Sequence, residues 1–219
     1  MAAFGREAHE AERLHVAAQA QFAQQKYREA AATWQAALAV AARIGAVPLK
    51  RRVQATLVGA LACALDLAGD PDQAVGWHTK AFKLHGAIGD VEGQCSAVSN
   101  MGHSYLRLGD LERAGTCYEQ AAEIADAEGL DALREQIVAN RARLAAARSA
   151  APDALESLVK EVSPGKAKAA PGAPAPRSAP PVGGDAAAAA DKPWAVTAGR
   201  TGAPGAGDRP SWSRTVPSC

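Results

Sequence analysis

Aromatic side chains make up only 5% of the 219 residues, and neither sign of charge prevails, with 24 Lys and Arg against 23 Asp and Glu. So even a balance leaves no global field to draw the chain onto nucleic acid or an acidic membrane. Long apolar runs are missing too, and no stretch approaches the roughly 18 residues of a membrane span. The first residues, MAAFGREAHEAERLH, meet Arg6, Glu7, His9 and Glu10 before an apolar run develops, which is not the pattern of a secretory leader. Cysteine is sparse: Cys63, Cys95, Cys117 and Cys219 are far apart, with no C-x-x-C pair. That spacing predicts reduced, mostly structural thiols. These absences lead to the expectation of a cytoplasmic protein without membrane insertion or nucleic-acid binding.

Signatures of catalysis are equally scarce. There is no Walker A loop and no Rossmann glycine fingerprint, and GAPGAG at 202–207 is tail composition. GHSYL at 102–106 lacks the second glycine of a nucleophile elbow and sits in a helical pattern. His78 and His85 are seven residues apart, but no neighbouring carboxylate or Cys completes a metal-ligand pattern. The sequence predicts no enzyme, no cofactor and no metal.

What the chain has in plenty is alanine, set at helical spacing. Residues 69–81, GDPDQAVGWHTKA, return as GDLERAGTCYEQA at 109–121. The 40-residue offset carries Ala74 to Ala114, Ala81 to Ala121 and Gly89 to Gly129. A fixed period of this size marks a repeat architecture. Upstream, Val58, Leu61, Ala62 and Leu65 match Val98, Met101, Gly102 and Tyr105, a single helical face. Gly69 and Gly109 suit the left-handed end of one helix, and Asp70 and Asp110 are placed to cap the next. Pro71 suits a first helical position. A fainter first copy sets Ala30, Trp34, Ala37 and Gly45 against Ala74, His78, Ala81 and Gly89, 44 residues on. The extra turn is expected where Pro48 opens a lengthened helix. Downstream, Asp131 starts a closing helix with Val138, Arg141, Ala142 and Ala145 in the matching slots. The prediction is an all-α chain of three antiparallel hairpins and a closing helix.

The expected division is an array over residues 9–150, with repeats at about 11–44, 55–88 and 95–128 and a closing helix at 131–149. A short helix is expected at 151–163. Beyond it, residues 164–219 hold ten of the thirteen prolines and no Leu, Ile or Phe. That composition cannot bury enough apolar surface to offset the entropy of ordering, so the tail is expected to be disordered. Trp194 and Trp212 lie within it as candidate docking motifs, and PGAP at 171–174 has a proline-helix spacing.

Met101-Gly102, Tyr105, Ala114, Tyr118 and Ala121 resemble the packing pattern of a tetratricopeptide (TPR) repeat. The 40-residue spacing resembles the Pins/LGN subgroup of that family, and AVSNMGHSYLRLGDLERAGTCYEQAAEIA is similar to its repeat. The resemblance covers roughly residues 11–148. It implies about 3.5 repeats stacked as a superhelix, whose first helices line a concave groove that binds a peptide or helix of a partner protein. Packing then falls to Ala30, Trp34, Ala37, Leu61, Ala62, Ala74, Ala81, Met101, Gly102, Tyr105, Ala114, Tyr118 and Ala121. The groove residues are His15, Gln19, Thr56, Gly59 and Cys63 in the first two copies. Farther on they are Ser96, Asn100, His103, Arg107, Gln136, Asn140 and Arg143. Asparagine can hold a peptide backbone as donor and acceptor, and arginine can fork onto a carboxylate. The expected role is a non-enzymatic adaptor or scaffold. The alternative is a regulatory or assembly subunit that uses the array to oligomerise.

Overall fold

Helix pairs follow one another through all of the residues that the computed structural model describes, 3–149. In chain order they are α1 (Ala3–Ala23), α2 (Tyr27–Ala41), α3 (Val47–Leu67), α4 (Pro71–Ala87), α5 (Val91–Arg107), α6 (Leu111–Glu128) and α7 (Asp131–Ser149). No strand occurs among the described residues. The short helix expected at 151–163 and the tail at 164–219 lie outside them.

Turn chemistry sets the joints. Gly69, Gly89, Gly109 and Gly129 all have positive φ, between 64° and 93°, a conformation open to residues without a Cβ. Asp90 and Asp110 cap the helices that follow, accepting the N–H of Gly93 and of Arg113 at 3.0 Å each. Asp70 departs from expectation, because its side chain makes no capping bond. Pro71 follows it at the first position, where it fixes φ and removes one of the N–H groups needing a cap. α3 is lengthened as expected, running 21 residues against 17 in α5, with Pro48 in its first turn.

Each helix packs on its neighbours in the chain. Odd-numbered helices also touch second neighbours, α1 with α3, α3 with α5 and α5 with α7, and no comparable contact joins the even-numbered ones. The odd helices therefore form an inner layer. Two core clusters run through the stack, one around Trp34 and one around Tyr118. Ala30, Ala37, Ala74, Ala81, Ala114 and Ala121 are wholly buried, so helices meet closely over small side chains. Gly102 serves the same end: a Cβ there would lie 2.7 Å from Cε1 of Tyr118.

The closing helix is turned from its expected face. Val138, Arg141, Ala142 and Ala145 are exposed, while Ile137, Asn140, Leu144 and Ala147 are buried. In α5 the corresponding face, with Met101 and Gly102, is covered by α6. Among the described residues α7 has no following helix, so that face meets solvent and only the stripe toward α5 and α6 is buried.

Candidate functional site

The inner layer carries every residue expected to line the groove, in two different settings. At the α5–α7 end the polar side chains are spent largely on one another. His103 Nε2 and Asn140 Oδ1 are 3.0 Å apart, Asn140 Nδ2 donates to Ser99 Oγ at 3.3 Å, and Arg143 Nη1 donates to Asn140 Oδ1 at 3.3 Å. Arg107 and Asp66 form an ion pair at 3.3 Å with both side chains almost wholly buried. Asn100 Nδ2 donates to Cys63 Sγ at 3.5 Å. His103, Arg107 and Asn140 are thus buried, Ser96 and Asn100 half-buried, and Gln136 and Arg143 exposed.

The packing residues are in the core, with Tyr105 half-buried beneath the Arg113 guanidinium, 5.5 Å from its ring centroid. Trp34 is fully buried, whereas Trp77 is half-buried with Lys80 Nζ 4.8 Å from its ring centroid. His78 is buried, and His85 lies 2.9 Å from Asp90 across the α4–α5 turn. No cluster of three metal-ligating side chains occurs among the described residues, and no helix there is long and apolar enough to cross a membrane.

The thiols divide. Cys95 and Cys117 are free and buried, and burial pushes them up to about 11 and about 12, too high for a reactive thiolate. Cys63 is disulfide-bonded, so the expectation of reduced thiols holds at Cys95 and Cys117 and is corrected at Cys63. Distance along the chain is no guide to distance in space, so wide spacing could not exclude a disulfide.

At the α1–α3 end the inner layer holds a cavity of about 210 Å³. Ala8, Ala11, Leu49, Val53 and Leu57 make its apolar walls, and Glu12, His15 and Thr56 bring polar groups to it. His15 is positioned from the core side: Trp34 Nε1 donates to its Nδ1 at 2.9 Å. Indole N–H can only donate, so Nδ1 is the acceptor and the proton of the neutral ring is on Nε2. That Nε2–H is buried and has no acceptor among the described residues. Sequence reading named His15 and Thr56 but not the cavity, which exists only where two helices from different repeats meet. The one available signal was the small residues Gly5 and Ala8 on α1.

The buried histidines make the fold acid-sensitive. Burial, with His103 nearby, brings His78 down to about 3. Burial also lowers His15. His103 is lowered by burial, with Arg143 and Arg107 adding to it and the Asn140 hydrogen bond opposing. In an unfolded chain each titrates near pH 6.5. Below that pH the unfolded state binds more protons, so their contribution is complete above it and is lost as pH falls toward the folded values. Asp66 works the other way: burial raises it despite Arg107, so its contribution fades as pH rises through its folded value. His78 has the large shift, so the urea midpoint is expected to be lower at pH 5 than at pH 7.5. An unchanged midpoint would contradict this.

Residues 96–128, most of α5 and all of α6, match the family model of the tetratricopeptide repeat. No curated protein and no solved structure matches the chain. The matched stretch is the third helix pair in a stack of similar pairs.

Proposed function

We propose that the chain is a non-enzymatic adaptor that holds a segment of a partner protein along its inner helix layer. The observation that carries this reading is the cavity between α1 and α3, with a buried His15 donor awaiting an acceptor. A tetratricopeptide repeat is generally a protein-interaction module, which agrees with it. The likeness to the Pins/LGN subgroup rests on the 40-residue spacing and on the stretch at 97–125 alone.

At the other end of the layer, Ser96, Asn100, Gln136 and Arg143 reach solvent and are the residues to meet the partner. His103, Arg107 and Asn140 act by holding them in place. Asn100→Ala with Arg143→Glu is expected to weaken capture of partners by the full chain about ten-fold or more, near 1.4 kcal/mol. Partner profiles identical to wild type would remove these residues from the site.

A second reading has its own observation. Val138 is 60% exposed on the face of α7 whose counterpart in α5 is covered by the next helix. A second copy could stack there, making the array an assembly device. Light scattering on the full chain separates the two, since a monomer excludes stacking and a defined oligomer supports it.

A further inference from the structure

The lining of the α1–α3 cavity grades from exposed to buried. Gly5 and His9 are open to solvent, whereas His15, Val53, Thr56 and Leu57 are buried. Its 210 Å³ exceeds the ~150 Å³ that takes up one benzene ring and falls short of the ~300–1,000 Å³ of a pocket for a drug-sized ligand. One six-membered ring with a substituent suits that space.

The buried polar atoms select the substituent. Trp34 holds His15 Nδ1, so Nε2–H leaves from the other side of the ring, away from α2, as a donor on a side chain 3% exposed. Thr56 is 7% exposed and spends its hydroxyl hydrogen on the Arg52 carbonyl at 3.3 Å. Its oxygen keeps lone pairs that can accept. The buried lining therefore offers one donor from α1 and one acceptor from α3. A hydroxyl is the smallest group that satisfies both.

Side chains can be sorted on that basis. Phe, Leu and Met fill the apolar walls but leave the His15 donor without an acceptor. Indole can only donate. Ser and Thr carry the hydroxyl but no ring to fill the space beside Val53 and Leu57. Asn and Gln bury an amide against apolar carbon with hydrogen-bonding capacity left over. His places its polar atoms in the ring itself, against the walls. Tyr sets an apolar ring before a hydroxyl at its far end, which is the match.

That tyrosine has to come from another protein. The chain holds three, Tyr27, Tyr105 and Tyr118. Tyr27 stands edge-on to Phe22 at 5.2 Å, Tyr105 lies beneath Arg113, and Tyr118 is wholly buried. A second copy brings the same three and is excluded with them.

We propose that the partner segment anchors on the array by a tyrosine side chain, its ring between α1 and α3 and its hydroxyl between His15 Nε2–H and Thr56 Oγ1. This rests on the inner layer being a segment-binding face, and it makes the anchor selective for Tyr over Phe.

The test titrates the full chain with p-cresol, the tyrosine side chain as a free molecule, and with toluene, which lacks the hydroxyl. Acetyl-Gly-Tyr-Gly-amide and acetyl-Gly-Phe-Gly-amide place the same groups on a backbone. Methyl signals of Leu49, Val53 and Leu57 report occupancy by NMR. p-Cresol is expected to bind about five-fold tighter than toluene, and the Tyr peptide about five-fold tighter than the Phe peptide, the effect of one net hydrogen bond. Thr56→Val keeps the side-chain shape and removes the acceptor. It is expected to cut both preferences below about two-fold while toluene binding, which reports an intact cavity, stays the same. Equal affinities within either pair, shifts confined to other methyls, or no binding at all overturns the proposal. Binding of p-cresol with neither peptide also overturns it, since the cavity would then take free phenols. None of these results bears on partner capture at the α5–α7 end, which the Asn100 and Arg143 substitutions decide separately.

Discussion

Arg107→Ala is expected to lower the unfolding free energy by about 3–5 kcal/mol, because it strands a carboxylate in the interior. Arg107 and Asp66 bridge α5 and α3 at 3.3 Å, with side chains 2% and 1% exposed. Burial already acts against the charged carboxyl, and the guanidinium opposes that effect. Removing the cation leaves that penalty opposed by the Ser104 hydroxyl alone. Arg107→Met with Asp66→Leu removes both charges and fills the space, so that pair is expected to recover most of the loss or to exceed wild type. Urea unfolding of the three proteins at pH 7.5 distinguishes the cases. A loss below about 1 kcal/mol for Arg107→Ala would mean the pair behaves like an exposed one, and the account of this joint would fail.

Trp34→Ala should be comparably damaging for a different reason. Trp34 is fully buried at the centre of the first cluster, with Phe22 edge-on 5.7 Å away and His15 hydrogen-bonded to its indole. Truncating a buried Trp costs about 3–5 kcal/mol, and the unpartnered His15 nitrogen places this case toward the upper end. Contacts run mainly between neighbouring helices, so the loss is expected to stay local, as in other stacked repeats. Unfolding should then split into an early step for α1–α4 and a later one for α5–α7, read by amide exchange at rising urea. A single transition shifted as a whole would show that the array unfolds as one unit. Trp34→Phe keeps the ring but not the donor, and should cost much less while freeing His15 to turn.

The two variants also show which parts of the fold could be read from the residues. Ala74, His78 and Ala81 recur as Ala114, Tyr118 and Ala121 at an offset of 40, and answer to Ala30, Trp34 and Ala37 at 44. In the structure all nine are buried where helices of a pair meet. Recurrence reports neighbours that are themselves repeated. It fails where the neighbour changes, as on α7, where the offset carries Arg141 and Ala142 onto a face that no described helix covers. It also fails at Asp70, whose capping role is bypassed beside Pro71.

Arg107, His103 and Asn140 illustrate a further limit. A helical wheel places them away from the packing face of their own pair, yet Asp66 of α3 pairs with Arg107, and His103 and Asn140 pair across α5 and α7. Contacts between second neighbours are invisible to periodicity within one helix. The α1–α3 cavity escaped notice for the same reason, since Leu49 and Val53 meet Ala8 and Ala11 only after two repeats have stacked.

The account turns on which layer holds the partner. A photo-crosslinking amino acid at Ser96 or Arg143 on the inner layer, and at Lys83 or Glu119 on exposed positions of α4 and α6, tests that in the full chain under reducing conditions. The account predicts partner adducts from the two inner positions and none from the two outer ones. Adducts from Lys83 and Glu119, with none from Ser96 and Arg143, would contradict it.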